Sequence, residues 1–385
     1  MKRHTTFLIA AIGSMLIAVS ASADGYLTAV GAGDDEIPVV VVSGTPHEMG
    51  FAFGRLMKDQ VEGMLIPFLA AAKIADEERY GDANLDAAWK AVSPYIHERF
   101  IEELRGLGEG SGVGFDNVRR AHMIPVVSDY SCSGAALWGP ATRNGTFYQF
   151  RNLDYTMNGG LQNFPAVVVY LPEDGIPHVN VTFAGYIGVN TGMNAKGITL
   201  TEMGDSPGRE YPYDLDGAHF TTLFRDLLYD ADDLDEAVEM IKSAKRIKKY
   251  HYIIGDGASG RAVKMLAHAP DLVIWKDNDA TDEVAPNVKE GVVYNCEGRD
   301  PIGWAHLSKY YGRYDASAVI QLSAAVGGLG GNLLNVVYDG TNLELWVSYA
   351  HKRECAYQRA YVHIKMKDYL DMANPPEGAV VLPSN

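Results

Sequence analysis

The stretch from Tyr130 to Tyr155, YSCSGAALWGPATRNGTFYQFRNLDY, constrains the fold of this chain more than any other. Ala135 to Trp138 is a short apolar run, Asn144-Gly145 is a hairpin dipeptide, and Phe147 to Phe150 is an aromatic-rich return strand. A hairpin brings its two ends together. Cys132, near the start of the first strand, can therefore meet Arg151 and Asp154 at the end of the second. A guanidinium beside a thiol favours the thiolate, which is the nucleophilic form. Taken by themselves, the same residues also fit a buried filler Cys and a surface Arg–Asp ion pair.

Residues 1–23 read as an address rather than as fold. Lys2, Arg3 and His4 form a basic start, Phe7 to Val19 an apolar run, and Ala21-Ser22-Ala23 a small-residue cleavage site. The expected location is secreted or periplasmic, with cleavage after Ala23. The apolar run is short for a membrane span, so no stable membrane insertion is expected. The chain carries 33 Lys and Arg against 49 Asp and Glu, an acidity that excludes nucleic acid as a natural partner. Three Cys occur, Cys132, Cys296 and Cys355. In an exported protein a Cys296–Cys355 bridge would leave Cys132 free, although the sequence does not establish that pairing.

Residues 24–131 read as a mostly helical segment that follows one strand, Ile37 to Val42. Gly44 to Gly54, GTPHEMGFAFG, opens a helical pattern that continues to about Ile74, with Pro46 well placed at the helix start. A second helix is predicted from Leu85 to about Leu107, with RGLGEGSGV at Arg105 to Val113 breaking it. Residues 132–385 are richer in strands. They include Ala166 to Leu171, Val179 to Phe183, a strand ending at Glu202, and Val292 to Asn295. Helices are expected over Phe220 to Tyr229, Leu234 to Ala244, Trp304 to Arg313 and Ala316 to Val326. No metal-ligand spacing, phosphate loop or GxSxG elbow is present, so no cofactor or metal is expected.

Several of these blocks resemble the cysteine N-terminal nucleophile hydrolases, on the branch of isopenicillin-N acyltransferase and the acid ceramidase-like amidases. They are CSG with GTFYQFRNLDY, the GxPxExGxxxG pattern from Gly44, GMNAKGI at Gly192 to Ile198, and VYDGTNLELWV near the end. The resemblance implies an α+β fold, a four-layer αββα sandwich, preceded by the helical segment. It implies self-cleavage before Cys132, giving an alpha chain (24–131) and a beta chain (132–385) that stay associated. It also implies site residues: Cys132 as nucleophile, Arg151 to favour the thiolate and Asp154 to hold the new α-amine. Asn295, with a backbone N–H near Glu202, would serve the oxyanion, and Arg313 would stand near the site. Bile salt hydrolases have an Asn two residues beyond Glu202, where this chain has Gly204. The expected activity is hydrolysis of a small N-acyl amide. Acyl transfer of the penicillin acyltransferase type and a non-catalytic binding protein are the alternatives.

Overall fold

The computed structural model of the chain describes residues 24–129, 131–204, 211–283, 289–328 and 331–382. The expected address segment, residues 1–23, lies outside them. Two strands open the described chain, β1 (Asp24–Val30) and β2 (Ile37–Gly44). Helices α1 (Pro46–Leu56), α2 (Lys58–Ala75), α3 (Glu77–Tyr80), α4 (Asp82–Val92), α5 (Glu98–Ser111) and α6 (Phe115–Met123) follow. The hairpin is β3 (Ser131–Gly139) and β4 (Gly145–Asp154). After it come β5 (Pro165–Pro172), β6 (His178–Phe183), β7 (Thr191–Asn194) and β8 (Ile198–Gly204). Helices α7 (Phe220–Asp230) and α8 (Leu234–Ser243) lead to β9 (Lys249–Asp256), β10 (Arg261–His268), β11 (Leu272–Trp275) and β12 (Val292–Asn295). Next are α9 (Asp300–Tyr310) and α10 (Ala316–Ala325). The last strands are β13 (Leu334–Asp339), β14 (Glu344–Tyr349), β15 (Val362–Lys365) and β16 (Val380–Val381).

Among the described residues the strands form two sheets, ordered β11-β10-β9-β8-β7-β6-β5-β2-β1-β16 and β12-β3-β4-β13-β14-β15. Only β2 and β5 pair in parallel; the remaining neighbours are antiparallel. The sheets face each other, with β3 and β4 against β8, and β12 against β9 and β10. Helix α1 covers β1 and β2 on one outside, and α10 covers β4 and β13 on the other. This is the expected four-layer αββα sandwich.

The first segment differs from expectation in two ways. It is anchored in the larger sheet by β1 as well as β2, through a register running from Asp24↔Ser43 to Val30↔Ile37. The long second helix is also two helices, α4 and α5, parted by a short turn at Ser93–Tyr95 that contains Pro94. The glycine-rich RGLGEGSGV does not end α5 early; the helix runs on through Ser111. Its glycines serve close approach. A Cβ on Gly106 would lie 2.0 Å from the His47 carbonyl oxygen, and one on Gly110 would lie 2.2 Å from that of Phe51. Helices α1 and α5 thus touch backbone to backbone, which no side chain in those rows would allow.

Strand alternation sorts the hairpin into two faces. Cys132, Ala136, Trp138, Phe147 and Leu153 belong to the core between the sheets. Ala135, Leu137, Tyr148 and Phe150 belong to a second core with Leu307, Val319 and Leu322 of α9 and α10. All three Cys are buried and free, so the Cys296–Cys355 bridge is absent. Cys296 belongs to the second core, while Cys355 packs at the start of a 3-10 turn before β15.

Candidate active site

On the inner face, Cys132 pairs in register with Leu153, and Gly134 with Arg151. Two residues apart on one face, Cys132 and Gly134 place the thiol diagonally from the Arg151 side chain. Arg151 Nη2 donates to Cys132 Sγ at 3.0 Å and to Glu202 Oε2 at 3.2 Å. Its Nε donates to the Glu202 carbonyl (3.4 Å) and its Nη1 to Thr191 Oγ1 (3.2 Å), so the guanidinium spans the gap between the sheets. Arg151 and Glu202 are both fully buried. Gly134 lets the sheets close here: a Cβ on it would lie 2.4 Å from Thr201 Cγ2. Burial pushes the Cys132 thiol well up; Arg151 opposes this, while Glu202, Glu297 and Asp154 add to it.

Asp154 stands apart from this group. It lies three residues beyond Arg151 on one strand, an odd step, and so it points to the opposite face. There its carboxylate accepts from Arg299 Nη2 (2.6 Å), the Gly328 N–H (2.8 Å) and Asn332 Nδ2 (2.8 Å). Arg299 Nη2 also donates to the Cys132 carbonyl at 3.3 Å. In the uncut chain the Cys132 peptide nitrogen is therefore not held by Asp154, whereas the role implied for Asp154 concerns the α-amine that only cleavage creates. That nitrogen is held by Glu297. The β12–β3 ladder ends at Asn295↔Gly134, and beyond it the Cys132 N–H donates to Glu297 Oε2 at 2.8 Å. The Ser131 hydroxyl donates to the same oxygen.

An apolar cleft opens between the sheets and the first segment. Met64 and Phe68 of α2, Ile124, Leu153, Tyr155, Phe183 and Arg151 line it. Leu153, which lines the cleft, is the register partner of Cys132.

No protein-family model matches the chain. It is similar to protein dcd1B of Dictyostelium discoideum, 27% identical over 366 residues, covering 87% of this chain and 72% of that one. It is similar to the N-acylethanolamine-hydrolyzing acid amidase of Rattus norvegicus, 25% identical over 172 residues, covering 43% of this chain and 46% of the amidase. Among solved structures, the Caenorhabditis elegans ortholog of that amidase aligns with a TM-score of 0.45 at 16% identity, covering 55% of this chain and 93% of that one. At these identities the chain is similar to amide-hydrolysing relatives over part of its length. The chain spans about half the length of the rat acid amidase it matches.

Cys132, Arg151 and Glu202 meet as a cluster. Asn295 ends β12 beside it, and its Oδ1 accepts the Glu297 N–H at 2.9 Å, which orients the amide. Arg313 is not brought to the cluster. It is exposed after α9 and donates to the Lys309 carbonyl at 3.2 Å. The guanidinium at Asp154 is that of Arg299, which stands four residues beyond Asn295. Sequence reasoning missed both Arg299 and Glu297. Their one available signal was position, in the turn that leaves the strand carrying Asn295.

Proposed function

We propose that this chain cuts itself between Ser131 and Cys132, and that the freed Cys132 hydrolyses an N-acyl amide through a thioester. The observation that carries this reading is the buried thiol at 3.0 Å from Arg151 Nη2, an arginine that also lines an apolar cleft. An amide carbonyl is a weak electrophile, so it needs an activated nucleophile and a donor for the oxyanion. In the uncut chain, burial and three nearby carboxylates keep the thiol protonated. Cutting converts the Cys132 amide into an α-amine, which titrates near ~8. That group takes the thiol proton and later returns it to the leaving amine.

Arg151 then sustains the thiolate, and Asn295 Nδ2 donates to the oxyanion. The cleft supports an apolar acyl chain as the part of the substrate recognised most strongly, since burying each CH₂ contributes about 0.8 kcal/mol. The basic, apolar and small-residue order of residues 1–23 supports export, and water is the acceptor that resolves the thioester. Helices α2 and α6 of the first segment line the cleft, so both fragments of the cut chain are needed for binding. The test is a panel of N-acyl amides of increasing acyl length with purified protein. Amine release should rise with acyl length, and Cys132→Ala should abolish it while leaving the chain uncut. Hydrolysis by Cys132→Ala at the wild-type rate would overturn the reading.

A further inference from the structure

We propose that Glu297 is the catalytic acid of self-cleavage, giving a proton to the Cys132 nitrogen as the Ser131–Cys132 bond breaks. This rests on the self-cleavage reading above and adds the group that makes the nitrogen a leaving group. Glu297 touches the reacting amide itself. Its Oε2 receives the Cys132 N–H at 2.8 Å and the Ser131 hydroxyl, one residue on each side of the scissile bond. Its other oxygen, Oε1, is buried with no hydrogen-bond partner among the described residues, so that oxygen is available to carry a proton.

The turn that presents Glu297 is built for the purpose. Glu297 has φ of 43°, a left-handed conformation that glycine favours and a glutamate tolerates only when held there. Asn295 Oδ1 holds its N–H at 2.9 Å, and the Asp300 carboxylate takes the Cys296 and Gly298 N–H groups at 2.8 and 3.2 Å. The charged groups around it are Glu202 of β8, which disfavours a second negative charge, and Arg299 of its own turn, which favours one. Asp300 stands on the same turn, and the Cys132 thiol, with the Arg151 and Asp154 that act on it, stands on the hairpin. Burial is the main influence, and the carboxyl is pushed up to about 8. It is therefore neutral at pH 7 and holds the proton that the reaction needs.

In the small thiolate fraction that Arg151 sustains against burial, its proton already lost to solvent, the Cys132 sulfur adds to the Ser131 carbonyl carbon. The C–N bond then breaks, its electron pair stays on nitrogen, and Glu297 protonates that nitrogen. The products are a Ser131 thioester on Cys132, a free α-amine and the Glu297 carboxylate, which regains a proton from solvent. Water then hydrolyses the thioester to a Ser131 carboxylate and the Cys132 thiol.

The test uses full chains of wild type, Glu297→Gln and Glu297→Asp, synthesised cell-free and shifted at once into buffers from pH 6 to 9.5. Intact mass follows cleavage with time, and circular dichroism checks folding. Below pH 8 Glu297→Gln should cleave at least ~10²-fold more slowly than wild type, the usual loss for a general acid. Above about 8, where the wild-type carboxyl ionises, that advantage should shrink roughly tenfold per pH unit. Glu297→Asp should restore part of the rate. Cleavage of Glu297→Gln at the wild-type rate, or a ratio that does not change with pH, overturns the role of Glu297 and leaves self-cleavage standing. A wild-type chain that never splits at this bond overturns self-cleavage, and Glu297 with it. Should Glu297→Gln not fold, the wild-type profile decides: a change of slope by one near pH 8 supports the role, and a constant slope overturns it.

Discussion

At Cys132, burial and a guanidinium act in opposite directions on one sulfur. Burial raises the thiol, and Arg151 at 3.0 Å is the group that opposes it. Arg151→Leu should therefore raise the pH at which Cys132 is alkylated, read by peptide mapping so that buried Cys296 and Cys355 do not confuse the result. An unchanged alkylation profile would show that Arg151 does not sustain the thiolate. Cys132 and Arg151 were legible in the sequence because a hairpin turn fixed which residues could meet. Asp154 faces away from Arg151 for a reason also present in the sequence: a step of three along a strand changes face. Glu297 and Arg299 were not legible. They reach the hairpin from a turn some 165 and 167 residues away in sequence, where no local spacing marks them.

The elements that position the site depend on close backbone approach. Helices α1 and α5 meet through Gly50, Gly106 and Gly110, and α1 packs on β1 and β2. Gly106→Ala would drive a methyl group against the His47 carbonyl and force the helices apart. It should lower stability by roughly 1–3 kcal/mol, the usual effect of overpacking. A urea titration would read this as a lower midpoint, and an unchanged midpoint would contradict it. The glycine pattern was visible in the sequence, but its reading as a helix break ignored that glycine also permits contact. Strand β1 went unseen because DGYLTAV is short and only weakly alternating, and its pairing with β2 is a tertiary choice.

For the whole molecule, the sandwich was legible from the count of strands, the paired helices and the family blocks; the sheet order was not, since pairing such as β2 with β5 joins distant segments. Contacts between the first segment and the rest predict that the two fragments stay together after a cut. Strands β1 and β2 lie in the larger sheet, and Glu103 of α5 forms a buried ion pair with Arg225 of α7 at 2.6 Å. Breaking one partner of such a pair typically costs about 3–5 kcal/mol. The cut protein should therefore elute natively as one species that contains both fragments.

The most direct test of the central claim is intact mass of that protein, mixed with a turned-over N-acyl amide and quenched in acid. The account predicts two fragments, the larger beginning at Cys132 and gaining the mass of the acyl group alone. A fully active chain that is uncut, or an acyl adduct on the fragment ending at Ser131, would contradict it.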